Sequence, residues 1–304
     1  MSKQVLLKLK PYKKIVFGPF IGEFGWEVSR WCGFVRWYCK KHPEKIIVVY
    51  TRESSKDFYL NLGNNVRIET MVLKNDYTKF LKPMCYKLNG SLADKVKTRH
   101  MRQAKSKYPG FFIFTPMNKR CKRNLFHPKY YDFKFKNDEK VINIIKDFKK
   151  EHKGKKLIAI AARHRTDINY RNWVEDHWDK LFDMIEEDPK LCALVLGQTS
   201  SMFISKKKRD SIKYLTEFNN GLDPSVGLTI EAIKNADITI GPQTGSIILS
   251  NAIGVQTLFW GHEIKRHAID ENYSGVTSVG ILDKKKRQYV TKPEKVFEEI
   301  QKMI

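Results

Sequence analysis

The sequence predicts an α/β protein with two doubly wound parallel sheets, one in each half of the chain. Short apolar runs rich in β-branched residues, such as 45–50 and 157–161, alternate with amphipathic stretches of helical period. Continuous apolar runs are typical of strands buried on both faces, and strand–helix alternation is typical of parallel sheets. The alternation restarts after the polar run 153–156, KGKK. We therefore predict an N-terminal domain at 1–153 and a C-terminal domain at 154–304.

The predicted elements alternate along the chain except in one stretch. Strands are expected at 14–17, 45–50, 66–73, 157–161, 192–196, 212–215, 238–240 and 255–259. Helices are expected at 26–41, 137–152, 174–187, 200–209, 228–235, 245–253 and 293–304. We expect the last helix to pack back across the domain junction. The stretch 79–136 breaks the alternation, and we interpret it as an insertion.

Length and charge narrow the classes of function. The chain has 304 residues, which suits two domains of roughly 150 residues each. Hydrophobic residues make up 41% of it, which excludes a disordered chain. Lys and Arg number 57 against 33 Asp and Glu, so the formal net charge is +24. This excess favours a polyanionic partner, namely nucleic acid, an anionic membrane face or a phosphorylated glycan. Genomic drift toward lysine is the alternative explanation.

Cysteines and apolar runs indicate the compartment. The five cysteines have no metal-ligand spacing, and their number is odd. We therefore expect reduced thiols in a cytoplasmic protein, in the host cytoplasm if the protein is viral. No apolar run reaches the ~18 residues that span a bilayer, so we expect no membrane span. Residues 1–20 do not have the pattern of a signal peptide.

The most informative segment is 236–261, ADITIGPQTGSIILSNAIGVQTLFWG. A predicted strand ends there in a glycine-containing turn, and a helix begins at once. Main-chain N–H groups at a helix start form an anion site, and the helix dipole favours a phosphate by up to ~1–2 kcal/mol. The alternative is a plain tight turn. We predict a phosphate site at Gln243, Thr244, Gly245 and Ser246.

Three arginines follow the predicted strand at 157–161. Arg163, Arg165 and Arg171 lie at or just after its carboxyl end, where ligands of open α/β sheets bind. Arginine makes permanently charged, bidentate contacts to phosphate oxygens. A solvated basic loop is the alternative interpretation. We expect Trp173 and Trp178 to be packing residues.

These segments resemble the donor-binding half of GT-B glycosyltransferases, and the heptosyltransferase family most closely. That family has a similar strand, an Asp-Thr-Gly turn, a helix of small residues and a strand that ends in Phe-Gly or Tyr-Gly. Thr244, Gly245 and the strand end 259–261 match this pattern. Gln243 stands where the family usually has Asp, and Ile248 where it often has His.

Two more segments carry the resemblance. The family has a basic residue before a Trp, followed by Pro-Glu-x-x-Trp at a helix start. Residues 171–178, RNWVEDHW, match with Val174 in place of Pro. The family also opens with a strand and a Gly-Asp turn, whose Asp is the base that activates the acceptor hydroxyl. Gly22 and Glu23 fall at this place.

The resemblance implies two Rossmann-like domains that face a cleft and an inverting sugar transfer. Glu23 would be the general base, since a carboxylate above the first strand can take a proton from an incoming hydroxyl. Gly22 and Trp26 would contact the acceptor. Glu27 is the alternative base, and either acid is also favourable as a helix cap.

The implied donor is a nucleotide-sugar, with UDP, ADP or GDP left open. We expect its ribose near Gln198, which could equally be part of an ordinary helix-start turn, and Glu231 is a further candidate contact. No Asp-x-Asp motif flanked by apolar strand residues and no His/Cys cluster is found. We therefore expect no metal or other cofactor, because helix dipoles and basic side chains can neutralise the leaving diphosphate.

The acceptor depends on the stretch 95–136, which has thirteen basic residues and one acid, Asp132. Nine Phe and Tyr side chains are interleaved, so the stretch suits both phosphates and exposed bases. Virus-encoded GT-B enzymes glycosylate hydroxymethylated pyrimidines, and we predict a hydroxymethylated base in DNA as acceptor. The DNA contacts are expected at Lys119, Arg120, Lys122 and Arg123. The alternatives are a phosphorylated lipopolysaccharide or other glycan, a solvated insertion, and a nucleic-acid-binding protein without catalysis.

Overall fold

A computed structural model describes residues 3–20, 24–71, 90–115, 139–165, 171–262, 277–283 and 289–304. The chain divides into two compact units, Met1–Lys136 and Asn137–Ile304. We predicted that the N-terminal domain ends at 153, whereas the first unit of the structure ends at Lys136. The helix at 139–151 therefore belongs to the second unit. It packs there on the helix at 226–235, and Lys149 Nζ donates to the main-chain carbonyl of Asn235 at 3.1 Å.

The first unit has a four-stranded sheet in the order β3-β2-β1-β4, and its strands are all parallel. Its strands are β1 (Lys14–Phe17), β2 (Ile46–Arg52), β3 (Val66–Met71) and β4 (Phe112–Phe114). The helices among its described residues are α1 (Lys3–Leu9), α2 (Phe24–Trp26), α3 (Gly33–Lys41) and α4 (Gly90–Lys107). A π-helical turn, Glu27–Cys32, joins α2 to α3, and a 3₁₀ segment, Glu53–Tyr59, follows β2.

Aromatic packing holds α3 against this sheet. Phe17, on β1, has edge-on ring contacts with Trp31, Phe34 and Tyr38 at centroid separations of 5.2–6.0 Å. These side chains are almost fully buried. Rings in such edge-to-face arrangements add roughly 0.5–1.5 kcal/mol each beyond their area burial. The predicted strand at 14–17 and the predicted helix at 26–41 are therefore joined in one core.

The stretch 79–136 is not an insertion where the structure describes it. α4 and β4 continue the strand–helix alternation, and β4 pairs with β1 from Ile15↔Phe112 to Phe17↔Phe114. In the described part of α4, His100 and Ala104 are buried, and Tyr108 is buried just beyond its end. Six of the thirteen basic residues lie on α4. The four predicted DNA contacts, Lys119 to Arg123, lie outside the described residues.

The second unit has a six-stranded parallel sheet in the order β10-β9-β8-β5-β6-β7. Its strands are β5 (Lys156–Ala161), β6 (Leu191–Leu196), β7 (Ile212–Tyr214), β8 (Ile238–Pro242), β9 (Thr257–Gly261) and β10 (Ser278–Leu282). In the described part of this unit the helices are α5 (Glu139–Glu151), α6 (Glu175–Glu187), α7 (Val226–Asn235), α8 (Gly245–Ile253) and α9 (Pro293–Met303). β10 was not predicted.

A tryptophan cluster forms the centre of this unit. Trp173 lies 4.6 Å from Trp260 and 4.8 Å from Trp178 between ring centroids, and all three are fully buried. The interpretation of Trp173 and Trp178 as packing residues is confirmed. Val296 and Ile300 of α9 join the same core, and α9 packs on α6. The last helix therefore packs within the second unit.

The predicted helix at 200–209 is wrong. Its first residues are bonded to the segment after β5: Phe203 N–H donates to the carbonyl of Ala162 at 2.7 Å, and His164 N–H donates to that of Ser201 at 2.9 Å. The main-chain groups of this segment therefore make long-range hydrogen bonds in place of the hydrogen bonds within a helix. Arg209 then anchors the segment through ion pairs with Asp179 and Asp183 on α6. In the described part of the chain, no helix is long and apolar enough to cross a membrane.

Candidate nucleotide site in the second unit

The sheet order places a switch point between β5 and β8. From β5 the chain proceeds to β6 on one side, and it returns to β8 on the other side. Ligands of open α/β sheets bind in the crevice at such a point. Gly241 lets the two strand ends approach, since a Cβ there would lie 2.8 Å from the carbonyl oxygen of Ala161. Its φ of +155° also disfavours other residues.

The predicted phosphate turn lies at this crevice, at the start of α8. Thr244 is the N-cap of α8, and its hydroxyl accepts from the N–H of Ile247 at 3.5 Å. The first N–H groups of a helix have no acceptor within the helix, so those of Gly245 and Ser246 are available to an anion. The Ser246 side chain is buried and the Thr244 hydroxyl serves the cap. At this turn the main-chain N–H groups, more than the hydroxyls, are available to an anion.

The buried side chain of Gln243 stabilises this turn through contacts with Tyr289 and Gly261. It is 3% exposed, and its Oε1 accepts a hydrogen bond from the Tyr289 hydroxyl at 2.9 Å. Its side chain also packs on Gly261, where a Cβ would lie 2.4 Å from the Gln243 carboxamide carbon. Among the described residues its Nε2 has no hydrogen-bond partner. The residue in place of the family's Asp therefore joins the turn after β8 to β9 and to the C-terminal segment.

The predicted arginines lie in the connection from β5 to α6, and the side chain of Asn172 bonds to the main chain of Arg165 within that connection. Asn172 Oδ1 accepts from the main-chain N–H of Arg165 at 3.0 Å, and its Nδ2 donates to the Arg165 carbonyl at 2.7 Å. Asn172 and Arg165 are buried, whereas Arg163 and Arg171 are half-buried. Asn172 thereby brings Arg171 next to the segment that follows β5, at the carboxyl edge of the sheet.

The candidate ribose contacts have different surroundings. Gln198 follows β6 at the same edge and is buried, directly after Gly197, whose φ is +138°. The next residue, Thr199, is held by Asp223 Oδ1, which accepts from its N–H at 2.8 Å and its hydroxyl at 3.0 Å. Glu231 instead bonds within its own helix, to Lys234 at 3.2 Å and to Asn235 at 3.1 Å. That carboxylate stabilises α7.

The carboxyl edge of the first sheet contains a buried acid network. Glu27 is fully buried, and its Oε2 accepts from Arg52 at 2.5 Å and from Ser55 at 3.0 Å. Tyr59 donates its hydroxyl to Oε1 at 2.9 Å. Burial and the Glu27 charge raise the pKa of Tyr59 well above its usual 10. With both oxygens bonded and no exposure, Glu27 is a structural residue and a poor candidate for the base.

The remaining predicted acceptor residues are only partly described. Trp26 ends α2, directly before the π-helical turn that holds Glu27. Gly22 and Glu23 lie outside the described residues. Three residues that build the edge of the second sheet were missed, namely Asn172, Asp283 and Tyr289. Only Asn172 had a local signal, its position between Arg171 and Trp173. In the described part of the chain, no group of three or more His, Cys, Asp or Glu residues could hold a metal ion.

The two parallel sheets and their alternating helices define a GT-B fold, as the sequence predicted. Among solved structures, the chain is similar to glycosyl transferase family 9 from Veillonella parvula, with a TM-score of 0.63 at 9% identity. It is also similar to E. coli ADP-heptose lipopolysaccharide heptosyltransferase II, with a TM-score of 0.58 at 10% identity. In both cases 95% of this chain and 97% of the other chain are covered.

A third similar structure is E. coli heptosyltransferase WaaC with ADP. Its TM-score is 0.53 at 9% identity, over 95% of this chain and 99% of WaaC. No family model matches the sequence, and no curated protein matches it. The structural similarity to glycosyl transferase family 9 and to two heptosyltransferases confirms the predicted fold and the resemblance to GT-B glycosyltransferases.

Proposed function

We propose that this protein is a glycosyltransferase that moves a sugar from a nucleotide-sugar to a hydroxyl of an anionic glycan. One observation carries the proposal. The switch point of the second sheet holds a helix N-terminus and a set of arginines, in a fold whose solved relatives include an ADP complex. A helix N-terminus and guanidinium groups together suit a nucleoside diphosphate.

In this proposal the diphosphate lies between α8 and Arg171. The N–H groups of Gly245 and Ser246 bind one phosphate, and the arginines after β5 neutralise the charge that develops on the leaving group. Gln198 is the proposed ribose contact. Gln243 acts indirectly, because its carboxamide holds the turn through Tyr289.

The proposed reaction is a single inverting displacement. The acceptor oxygen attacks the anomeric carbon as the bond to the diphosphate oxygen breaks, and the proton of the hydroxyl passes to the base. Glu23 remains the predicted base, since Glu27 is buried and fully bonded. The electron pair of the broken bond leaves on the nucleoside diphosphate, where the arginines stabilise it.

We propose only the chemical class of the acceptor, from the similar structures and from the net charge of the chain. Two of the similar structures are heptosyltransferases, one of them named for lipopolysaccharide. A formal charge of +24 suits a phosphorylated glycan. DNA with a hydroxymethylated base is the second candidate, favoured by the thirteen basic residues and one acid at 95–136. A nucleic-acid-binding protein without catalysis would show no sugar transfer at all.

The donor site is tested by calorimetry of Arg171→Ala with ADP, UDP and GDP. We expect the affinity for the preferred nucleotide to fall by ~1.5–3 kcal/mol, the contribution of a charge-assisted hydrogen bond. Arg99→Ala, which removes an exposed arginine from α4, is the matched control and should leave the affinity unchanged. Equal affinities for both variants and the parent would exclude Arg171 from the site.

The reaction is tested by turnover of Glu23→Gln with the preferred donor. Glutamine keeps the size of the side chain and removes the base, so turnover should fall by ~10²–10⁴ while nucleotide affinity is retained. Phosphorylated glycans and hydroxymethylated duplex DNA are compared as acceptors by mass spectrometry. A mass increment on the DNA alone would replace the proposed acceptor, and near-normal turnover of the variant would remove Glu23 from the mechanism.

A further inference from the structure

The amino edge of the first sheet carries exposed lysines together with exposed apolar side chains. We define this basal edge as residues 7–14, 40–46 and 107–111, which comprise the last residues of α1, α3 and α4, the turns that follow them, and the first residues of β1 and β2. Every residue of these turns is described. In a parallel sheet this edge lies opposite to the carboxyl edge, which holds Glu27 and Arg52 in this unit. A ligand on the basal edge would therefore leave the carboxyl edge accessible.

The charge of the basal edge is almost entirely positive. It contains eight lysines and one acid, Glu44. Seven of the lysines are exposed, namely Lys8, Lys10, Lys13, Lys14, Lys40, Lys41 and Lys107. The nearby Glu69 is almost buried and is paired with Arg67 and Lys107, so it adds little negative charge to the surface.

Apolar side chains are exposed among these lysines. Six large hydrophobic side chains are exposed in the described part of the chain, and three of them lie on the basal edge. Leu7 is 61% exposed, Tyr12 39% and Ile46 52%. Leu7 lies one helical turn before the exposed Lys10, on the same side of the chain. A purely electrostatic site for a polyanion would not need exposed aliphatic residues.

The framework of the basal edge is well fixed. Lys45 is buried, and its Nζ donates to the main-chain carbonyls of Leu9, Lys10 and Tyr12 at 3.4, 3.2 and 2.7 Å. This bonding ties the end of α1 to the start of β2. The Tyr12 ring also stacks on Phe112 at 4.0 Å, which ties the same turn to β4. The lysines and apolar side chains therefore project from a built surface.

An open groove of about 490 Å³ enters this surface between β2 and the end of α4. Ile46, Val48 and Val66 line it on the sheet side, and Tyr108 and Phe111 line it on the helix side. Lys14 lies over the Phe111 ring, 5.8 Å from its centroid. Asn64, Asn65 and Arg67 also line the groove, which therefore extends the apolar surface inward along part of its wall only.

We propose that the basal edge docks on the surface of an anionic phospholipid bilayer. Cations near such a surface are attracted to the lipid phosphates, and aliphatic and aromatic side chains between them enter the interface. Long lysine side chains can cover apolar surface while their charges stay at the phosphates. The basal edge has this combination, and its exposed lysines other than Lys107, which is paired with Glu69, complement the lipid charge. Duplex DNA would bind to the lysines through its phosphates, but Leu7 and Ile46 would remain exposed to solvent.

The test is co-sedimentation of the full chain with vesicles, without donor or acceptor. Vesicles of phosphatidylcholine with phosphatidylglycerol are compared with vesicles of phosphatidylcholine alone. The parent should bind the anionic vesicles and release at high salt. Replacing Lys13, Lys40 and Lys41 by Ser should weaken binding about 100-fold, from roughly fivefold per lysine. Leu7→Ser combined with Ile46→Ser should weaken it at unchanged net charge.

The matched control replaces Lys190, Lys206 and Lys208 by Ser, which removes the same charge from exposed positions of the second unit. It should bind vesicles like the parent. An equal loss in both triple variants would overturn the proposal, because net charge alone would then explain binding. The proposal would also fail if the parent did not bind anionic vesicles. It would fail as well if the variants with substitutions on the basal edge lost binding to duplex DNA but still bound the vesicles. Each of these outcomes is independent of sugar transfer.

Discussion

The carboxyl edges of the two sheets each hold a buried carboxylate, and the two are stabilised differently. Glu27 in the first unit accepts from the guanidinium of Arg52 and from two hydroxyls. Asp283 in the second unit accepts from the main-chain N–H groups of Val290 and Thr291, the latter at 2.9 Å. Both acids are at most 4% exposed.

The difference decides how each edge responds to substitution. In the first unit two charges are desolvated together, so removing one leaves the other unpaired in the interior. In the second unit two of the donors to Asp283 belong to the main chain and persist when a side chain is replaced, whereas the Thr291 hydroxyl is a side-chain donor. A single substitution should therefore disrupt the first edge more than the second.

The largest effect is expected for Arg52→Met. This substitution leaves Glu27 buried and charged without its cation, and we expect the free energy of unfolding of the first unit to fall by about 3–5 kcal/mol. The measurement is urea unfolding followed by circular dichroism, with a separate transition allowed for each unit.

Two further variants sharpen this result. Arg67→Met removes a 73% exposed arginine that is paired with Glu69, and should cost less than about 1 kcal/mol. Combining Glu27→Leu with Arg52→Met removes both charges and should recover part of the lost stability. If Arg52→Met cost no more than Arg67→Met, the buried pair would not stabilise the edge.

Sequence patterns predicted the elements whose signals are local. The helix at 245–253 is a good example: Thr244 caps its start, and Gly254, at φ +93°, ends it. α4 was missed because its 18 residues include six Lys and Arg, and its described buried positions are the polar His100 and the small Ala104, which give no apolar helical pattern. The segment 200–209 was misassigned because long-range main-chain bonds, which no local pattern reveals, override an amphipathic sequence.

In the candidate site, too, the residues with local sequence signals were predicted and the long-range contacts were not. Thr244, Gly245, Arg163 and Arg165 stand within a few residues of predicted strand ends, so their place at the carboxyl edge followed from parallel topology. Arg171 lies farther along the chain and is brought there by Asn172. Tyr289 and Gln243 are bonded across 46 residues of sequence, and a single sequence gives no signal for such a pair. Gln243 was therefore assigned to the phosphate, although its side chain is directed at Tyr289.

A smaller effect is expected for Asp283→Asn. The amide keeps one acceptor oxygen but loses the charge of the carboxylate, which now accepts from Val290 N–H, Thr291 N–H and the Thr291 hydroxyl. Charge-assisted bonds of this kind contribute roughly 1.5–3 kcal/mol, so the free energy of unfolding of the second unit should fall within that range.

Asp223→Asn is the matched control, because Asp223 also accepts from one main-chain N–H and one hydroxyl, both of Thr199, but is only half-buried. Water can replace its bonds, and we expect a loss below about 1 kcal/mol. The comparison between the two edges requires Arg52→Met to cost most, Asp283→Asn less and Asp223→Asn least. If Asp283→Asn cost as much as Arg52→Met, main-chain donors would be no more tolerant of substitution than a buried cation, because the carboxylate charge itself would then carry the stability of both edges.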